Sequence, residues 1–168
     1  PIIKKLYKSK KFNVNTTVTG SHLINIYQNE SLFKIDSIKI NKKIKILYND
    51  DNTSSILNYL GDGIKQFNIF FSKKKPDIIL VLGDRYEIFS AVISAFFKRI
   101  PVAHISGGEI TQGSLDDGVR HSITKMSTVH FVSNKIYASR VAQLGENRKN
   151  IFNVGSTGVE DINKIKLL

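Results

Sequence analysis

The 168-residue sequence contains no cysteine. This absence excludes a disulfide framework and a cysteine-ligated metal site, and it is compatible with a reducing cytoplasm. Acidic residues are scarce, since 14 Asp and Glu accompany 25 Lys and Arg and leave a formal net charge of +11. Long apolar runs are also missing, because the most apolar stretches, 78–82 and 88–97, are too short to span a bilayer. The Lys-rich residues 1–12 lack the apolar segment that a secretory signal peptide needs.

The positive charge is not accompanied by a nucleic-acid-binding motif. Lysines are spread along the chain, with short clusters at 42–43 and 73–75, and no helix-turn-helix or RNA-stacking pattern surrounds them. We attribute the charge mainly to solvated faces and coding bias, and secondarily to attraction of a phosphorylated small molecule. We therefore expect neither nucleic acid nor a membrane as partner. The 41% hydrophobic and 23% charged content is typical of a globular domain.

Short apolar strands alternate with helices through most of the chain. We predict strands at 13–19, 78–82, 102–105, 129–132 and 151–154, helices at 1–10, 53–71, 86–98, 115–126, 135–144 and from 158 onward, and an edge strand or hairpin within 29–51. Such alternation indicates βαβ units and a parallel sheet. Strands that are apolar on both faces indicate helices on both faces of the sheet. The prediction is an α/β, Rossmann-like fold in which residues 1–168 form a single domain.

Polar clusters follow four of the predicted strands. They are Gly20-Ser21-His22, Gly83-Asp84-Arg85, Ser106-Gly107-Gly108-Glu109 and Gly155-Ser156-Thr157-Gly158. Ligands of open parallel sheets bind at the carboxyl ends of the strands, so these clusters should share one rim. A glycine-rich turn that opens a helix also suits a phosphate group. Neither a dinucleotide-binding nor a P-loop motif is present, and no close His and carboxylate pattern indicates a metal site.

Each cluster also has a purely structural interpretation. Asp84 could cap the helix predicted to begin at 86, and His104 could be a core histidine. Ser114 and Asp117 fit a capping box, and Asp117 could pair with Arg120 one turn later. Taken together, however, several acids, histidines and arginines on one edge favour a site for an anionic ligand.

These residues carry a resemblance to a known family. The segments GDRYE (83–87), PVAHISGGEITQGSLDDGVRHSITKMSTVHFVS (101–133) and VGSTGVEDI (154–162) resemble the hydrolysing UDP-N-acetylglucosamine 2-epimerases of bacterial sialic-acid biosynthesis, and VTGSHL (18–23) is similar to an early motif of that family. The related non-hydrolysing enzymes carry His-x-Glu-Ala-Gly in place of His104-Ile-Ser-Gly-Gly-Glu109, which favours the hydrolysing branch. A close relative acts on a 2,4-diacetamido-trideoxy sugar nucleotide in legionaminic-type pathways with similar motifs, so the sugar stays open.

The resemblance implies the N-terminal half of a two-domain fold like that of the type B glycosyltransferases. The first strand and the C-terminal half of that fold are expected to be absent from this chain, so the isolated domain is expected to be inactive. The implied full-length protein is a cytoplasmic homo-oligomer that needs no metal or redox cofactor. Its implied substrate is a sugar nucleotide, which loses UDP by elimination to a glycal and then gains water to give free N-acetylmannosamine.

The resemblance also implies the roles of individual residues. Three carboxylates would act as acids and bases: Asp84, Glu109 and Asp117. Five further residues would bind or orient the substrate: His22, Arg85, His104, Arg120 and His121. The C2 proton has no neighbouring carbonyl to acidify it, so a well-placed carboxylate must take it, but which one does so stays open. The alternative is a sugar-nucleotide-binding module, or half of a glycosyltransferase, without epimerase chemistry.

Overall fold

The computed structural model describes residues 2–20, 23, 38–46 and 52–156. Its helices are α1 (Ile2–Ser9), α2 (Thr53–Lys73), α3 (Tyr86–Phe97), α4 (Leu115–Lys125) and α5 (Lys135–Gln143), with a 3-10 turn at Arg148–Asn150. Its strands are β1 (Thr17–Thr19), β2 (Lys42–Ile44), β3 (Ile79–Leu82), β4 (Val102–Ile105), β5 (Val129–Val132) and β6 (Ile151–Asn153). The predicted elements between 53 and 154 are confirmed, with β4 and β5 matching in both bounds. The helix predicted from 158 lies outside the described residues.

The strands form two parallel sheets. One is the pair β1–β2, with Thr17 opposite Lys42, and the other has the order β3-β4-β5-β6. Within the described ranges, the segment expected as an edge strand or hairpin is therefore a strand parallel to β1. A parallel partner needs a long crossover rather than a tight turn, and more than twenty residues separate Thr19 from Lys42.

Strand β4 lies at the centre of the core, whereas β3 is an edge. All four residues of β4 are buried, and since alternate residues point to opposite faces, both faces of this strand are covered. Leu80 and Leu82 on β3 are instead 41% and 55% exposed, which departs from the expected burial of this strand. Among the described residues β3 pairs with β4 alone, so its outer edge is open.

One apolar core joins the two sheets. Helix α2 begins at Asn52, whose side chain accepts a hydrogen bond from the Ser55 N–H at 2.9 Å and so satisfies a free donor of the first turn. The core cluster combines side chains of β2, α2, β3, α3, β4 and α4: Ile44, Ile46, Tyr59, Phe67, Phe71, Val81, Ala91, Val92, Ala95, Ile100, Val102 and Ile123. No helix in the described ranges is long and apolar enough to cross a membrane.

Small residues allow α2 and α3 to approach closely. A Cβ on Gly63 would lie only 2.5 Å from Ser90 Oγ. One turn later, the Ser94 hydroxyl lies 3.1 Å from the Ile64 carbonyl oxygen of α2. Gly61 and Gly63 each lower the intrinsic helix propensity of this segment, yet α2 is continuous. At Gly63 the missing side chain is needed for the close contact with α3.

The two glycines of α2 should respond oppositely to alanine. Gly63→Ala places a methyl group against Ser90 and should destabilise the chain by about 1 kcal/mol or more, since overpacking exceeds the gain in helix propensity. Gly61→Ala is the matched control, because nothing lies within 4 Å of its Cβ position, and it should stabilise by up to about 1 kcal/mol. Urea unfolding measures both changes, and equal effects of the two substitutions would contradict this packing.

Candidate functional site

The guanidinium of Arg120 connects the loops at the carboxyl ends of β3 and β4. Arg120 lies on α4 and is 7% exposed. Its Nη2 forms an ion pair with the Asp84 carboxylate and donates to Thr111 Oγ1 at 2.9 Å. Its Nη1 donates to the Glu109 carbonyl oxygen at 2.9 Å and lies 3.5 Å from Asp117 Oδ1. Asp84 and Asp117, which are 33 positions apart in sequence, thus meet at the Arg120 side chain.

The carboxylates at this rim are not helix caps. Helix α3 has no side-chain cap hydrogen bond, so the capping interpretation of Asp84 is wrong. Ser114 is the N-cap of α4, as expected, and accepts from the Asp116 N–H at 3.2 Å. Asp117 does not complete a capping box, because its Oδ1 accepts from the Thr111 N–H at 3.1 Å. The carboxylates of Asp84 and Asp117 therefore contact the rim residues Arg120 and Thr111 rather than a helix end.

A constrained turn places the backbone of Glu109. Ser106 has φ +67° and Gly108 has φ +78°, and such left-handed values are uncommon for a residue with a side chain. A Cβ on Gly108 would lie 2.6 Å from the Tyr137 carbonyl oxygen, so the turn is packed directly on α5. Arg140 of α5 also donates to the Gly108 carbonyl oxygen. The direction in which the chain leaves β4 is fixed by these contacts.

Sequence reasoning missed a serine that contacts the Glu109 side chain. Ser133, which follows β5, donates its hydroxyl to Glu109 Oε1 at 3.2 Å. The serine stands after a strand, as the polar clusters do, and Asn134 and Lys135 follow it, but this run contains no glycine, acid or histidine. Its position at the carboxyl end of a parallel strand was a signal that could have identified it.

A second missed residue, Glu87, supports Arg85. Glu87 lies on α3 and is 4% exposed, and Arg85 Nε donates to its Oε1 at 3.0 Å. Burial, together with the Glu87 carboxylate, raises the pKa of the Tyr59 phenol well above its ordinary value, so this hydroxyl stays protonated. The same carboxylate packs against Gly20 at the end of β1. Glu87 thus links the end of β1 to the loop after β3.

His104 lies behind the rim. It is fully buried on β4, with Nε2 2.9 Å from the Gly83 carbonyl oxygen and Nδ1 3.2 Å from Thr124 Oγ1. Because a carbonyl oxygen only accepts, Nε2 carries the proton. Burial lowers the pKa of His104 to about 4, so the ring is neutral near pH 7. His104 fixes Gly83, the residue before Asp84, and its expected part in orienting a ligand would act through that contact.

The remaining residues expected at the site are less constrained. The Nε2 of His121 lies 3.8 Å from Asp117 Oδ2, and its side chain is 26% exposed. Its Nδ1 is buried without a hydrogen-bond partner in the described part of the chain. His22 lies outside the described residues, as do Thr157 and Gly158 of the last cluster.

The rim combines groups suited to proton transfer with groups suited to an anion. Asp84, Glu109 and Asp117 supply carboxylates, and Arg85 supplies a guanidinium on a side chain that is 55% exposed. No group of three or more His, Asp or Glu side chains in the described ranges is arranged to hold a metal ion. A separate cavity of about 610 Å³ lies near the amino ends of β4 and β5, and no carboxylate lines it. This cavity therefore lacks the carboxylates that the rim at the carboxyl ends of the strands provides.

Known proteins are similar to this chain in sequence. The family described as UDP-N-acetylglucosamine 2-epimerase matches residues 4–167. The polysialic acid biosynthesis protein P7 of Escherichia coli is 40% identical over 95% of this chain and 41% of its own length. The hydrolysing GDP/UDP-N,N'-diacetylbacillosamine 2-epimerase of Campylobacter jejuni is 37% identical over 98% of this chain and 43% of its own length. This chain thus spans less than half the length of either protein.

Solved structures agree on the fold. The UDP-GlcNAc 2-epimerase of Neisseria meningitidis, in a structure bound to UDP-GlcNAc, superposes with a TM-score of 0.84 at 22% identity and covers 99% of this chain and 46% of that one. A further UDP-N-acetylglucosamine 2-epimerase structure gives a TM-score of 0.86 at 22% identity, covering 97% of this chain and 43% of that one. The α/β fold resembling half of a type B glycosyltransferase is therefore confirmed.

Replacing buried Arg120 should lower the free energy of unfolding more than replacing an exposed arginine. Arg120→Met leaves the Asp84 carboxylate, whose side chain is only 19% exposed, without its charged partner, and we expect a loss of about 3 kcal/mol in the free energy of unfolding. Arg148→Met is the control, because Arg148 is exposed and its loss should change stability by less than about 0.5 kcal/mol. Urea unfolding distinguishes the two, and similar small losses would show that the rim does not depend on Arg120.

Proposed function

This chain belongs to the UDP-N-acetylglucosamine 2-epimerase family, and from that premise we propose that it is the N-terminal part of a hydrolysing 2-epimerase. The proposed substrate is a UDP-linked 2-acetamido sugar, and the proposed products are UDP and the free sugar with inverted configuration at C2. The observation that carries this proposal is the meeting of Asp84, Asp117 and the Glu109 backbone at Arg120. Three carboxylates on one rim suit a reaction with two proton transfers at one carbon.

The reaction has two halves that balance as a hydrolysis. In the first, a carboxylate takes the C2 proton, the electron pair forms the C1–C2 double bond, and the bond from C1 to the UDP oxygen breaks. In the second, water adds its hydroxyl to C1 while an acid delivers a proton to the opposite face of C2. A base on one face and an acid on the other produce the inversion. We assign the proton transfers to Asp84, Glu109 and Asp117. Which of the three takes the C2 proton stays open.

The two arginines have different proposed duties. Arg120 is buried and already holds Asp84 and Asp117, so it positions the carboxylates. Arg85 has a side chain that is 55% exposed, and a cation at this rim can stabilise the departing diphosphate. His121 borders Asp117 and would contact the sugar, and His22 keeps its proposed place in substrate binding. His104 acts through Gly83.

Two sugars are candidates for the substrate. UDP-N-acetylglucosamine is favoured by the family, and its proposed product is N-acetylmannosamine, a precursor class for sialic acids. A UDP-2,4-diacetamido-2,4,6-trideoxy sugar is favoured by the 37% identity to the Campylobacter protein, whose name specifies N,N'-diacetylbacillosamine. The two share the 2-acetamido group next to the reacting carbon, so the same carboxylates serve either.

We further propose that this chain forms one wall of the site. The Ile79 and Gly83 N–H groups donate to carbonyls on the β4 side. Because backbone groups alternate along a strand, those of Leu80 and Leu82 face the open edge. An additional strand at that edge and a second α/β domain would complete the cleft. This chain covers less than half the length of each of these relatives, which supports this architecture.

The test is the product formed by the polypeptide of the complete gene. Incubated with each candidate UDP-sugar and followed by proton NMR, it should release UDP and the 2-epimerised free sugar, and the 168-residue chain alone should release neither. Asp84→Asn and Glu109→Gln should each lower kcat about 100-fold or more, the scale of lost acid–base catalysis.

Asp62→Asn provides a matched control, because Asp62 is an exposed carboxylate on α2, and it should keep full activity. Full activity in Asp84→Asn or Glu109→Gln would contradict the site assignment. Binding of the UDP-sugar without release of a free sugar would favour a binding module, and a free sugar with unchanged C2 configuration would indicate simple hydrolysis.

A further inference from the structure

The Glu109 carboxylate is held differently from the other two carboxylates of the rim. Asp84 and Asp117 contact Arg120 through their carboxylate oxygens, whereas Glu109 gives Arg120 its backbone carbonyl oxygen. The Glu109 side chain instead accepts the hydroxyl hydrogen bond of Ser133 at 3.2 Å. We propose that Ser133 positions the Glu109 carboxylate for the reaction, and this inference rests on the function proposed above.

The Ser133 hydroxyl is carried by a well-fixed backbone. On one side, Val132 pairs with Asn153 in the β5–β6 ladder, and its carbonyl accepts from the Val154 N–H at 2.9 Å. On the other side, Asn134 caps α5 by accepting from the Tyr137 N–H at 2.9 Å. The ends of a strand and a helix therefore meet at Ser133, and the hydroxyl retains one side-chain torsion.

The Glu109 backbone is fixed as firmly. Its carbonyl accepts from Arg120 at 2.9 Å, and the preceding Gly108 packs on α5 and accepts from Arg140. The side-chain torsions of Glu109 are then the freedom that remains. A donor on rigid backbone limits that freedom, and supporting hydrogen bonds of this kind hold reacting groups in place.

The chemistry of the contact suits a carboxylate that exchanges protons. Ser133 is neutral, so it orients Glu109 without neutralising its charge as an ion pair does. A hydroxyl can also rotate, so it donates to the carboxylate and accepts from the carboxylic acid. Ser133 can therefore donate to the Glu109 carboxylate and accept from the O–H of its protonated form, whereas a guanidinium can only donate.

The kinetic test compares two substitutions in the complete polypeptide. Ser133→Ala should lower kcat about tenfold and leave KM within about twofold, because the support acts on the reacting group rather than on binding. Ser133→Thr keeps the hydroxyl at a partly exposed position and should retain at least about half of kcat. Ser72→Ala is the control, since Ser72 is an exposed serine near the end of α2 whose hydroxyl donates to the Asn68 carbonyl.

Three kinetic results would overturn the inference: full kcat in Ser133→Ala, a change confined to KM, or a threonine variant as slow as the alanine variant. A second readout needs no turnover. The protein is labelled with carboxyl-13C glutamate, and the Glu109 signal is assigned by its loss in Glu109→Gln. At pH 7 the chemical shift of this signal should change in Ser133→Ala and stay the same in Ser133→Thr and Ser72→Ala.

The two readouts separate this inference from the proposed function. If the complete polypeptide releases no epimerised sugar, the proposed function fails, and the NMR signal still reports whether Ser133 contacts Glu109. If the sugar is released but Ser133→Ala changes neither kcat nor the Glu109 signal, the proposed function stands and the positioning role is refuted.

Discussion

The ion pair between Arg120 and Asp84 is the interaction on which the rim depends. A buried guanidinium is costly unless its donors are paired, and here they reach Asp84, Thr111, the Glu109 carbonyl and Asp117. These partners belong to the loop after β3, the loop after β4 and the first turn of α4. The need to satisfy one buried cation therefore draws three segments to one point.

The fold brings these segments within reach of each other. Buried β4 places Ser106 to Glu109 between the ends of β3 and β5, and α5 fixes the turn through Gly108 and Arg140. His104 ties β4 to Gly83 on β3. Arg120 then holds two carboxylates, while the third extends to Ser133. The proposed function uses these carboxylates for two proton transfers at one sugar carbon, each by a different group.

Local patterns in the sequence were sufficient for most of the fold but not for its edges. Strands such as Val102–Ile105, which is apolar except for His104, can be identified because their burial is encoded in consecutive residues. The exposure of Leu80 and Leu82 could not be read from an equally apolar run, because it depends on which strand lies beside β3. The parallel pairing of β2 with β1 likewise depends on the path of the chain between them.

The site was predictable as a set of loops but not as a set of contacts. The clusters after β3 and β4 indicated a common rim, and Asp84, Glu109, Asp117 and Arg120 do meet there. Capping was as good an interpretation of Asp84, because the alternative partner is 36 residues away. Glu87 and Ser133 were missed because the contacts that give each its role form only in the folded chain.

The central claim is that carboxylates on this rim remove one proton from C2 and deliver another to the opposite face. Incorporation of solvent deuterium measures this directly. When the complete polypeptide turns over its UDP-sugar in D2O, mass spectrometry and proton NMR should find one deuterium at C2 of the released, epimerised sugar. A released sugar that retains its original C2 hydrogen would contradict the account.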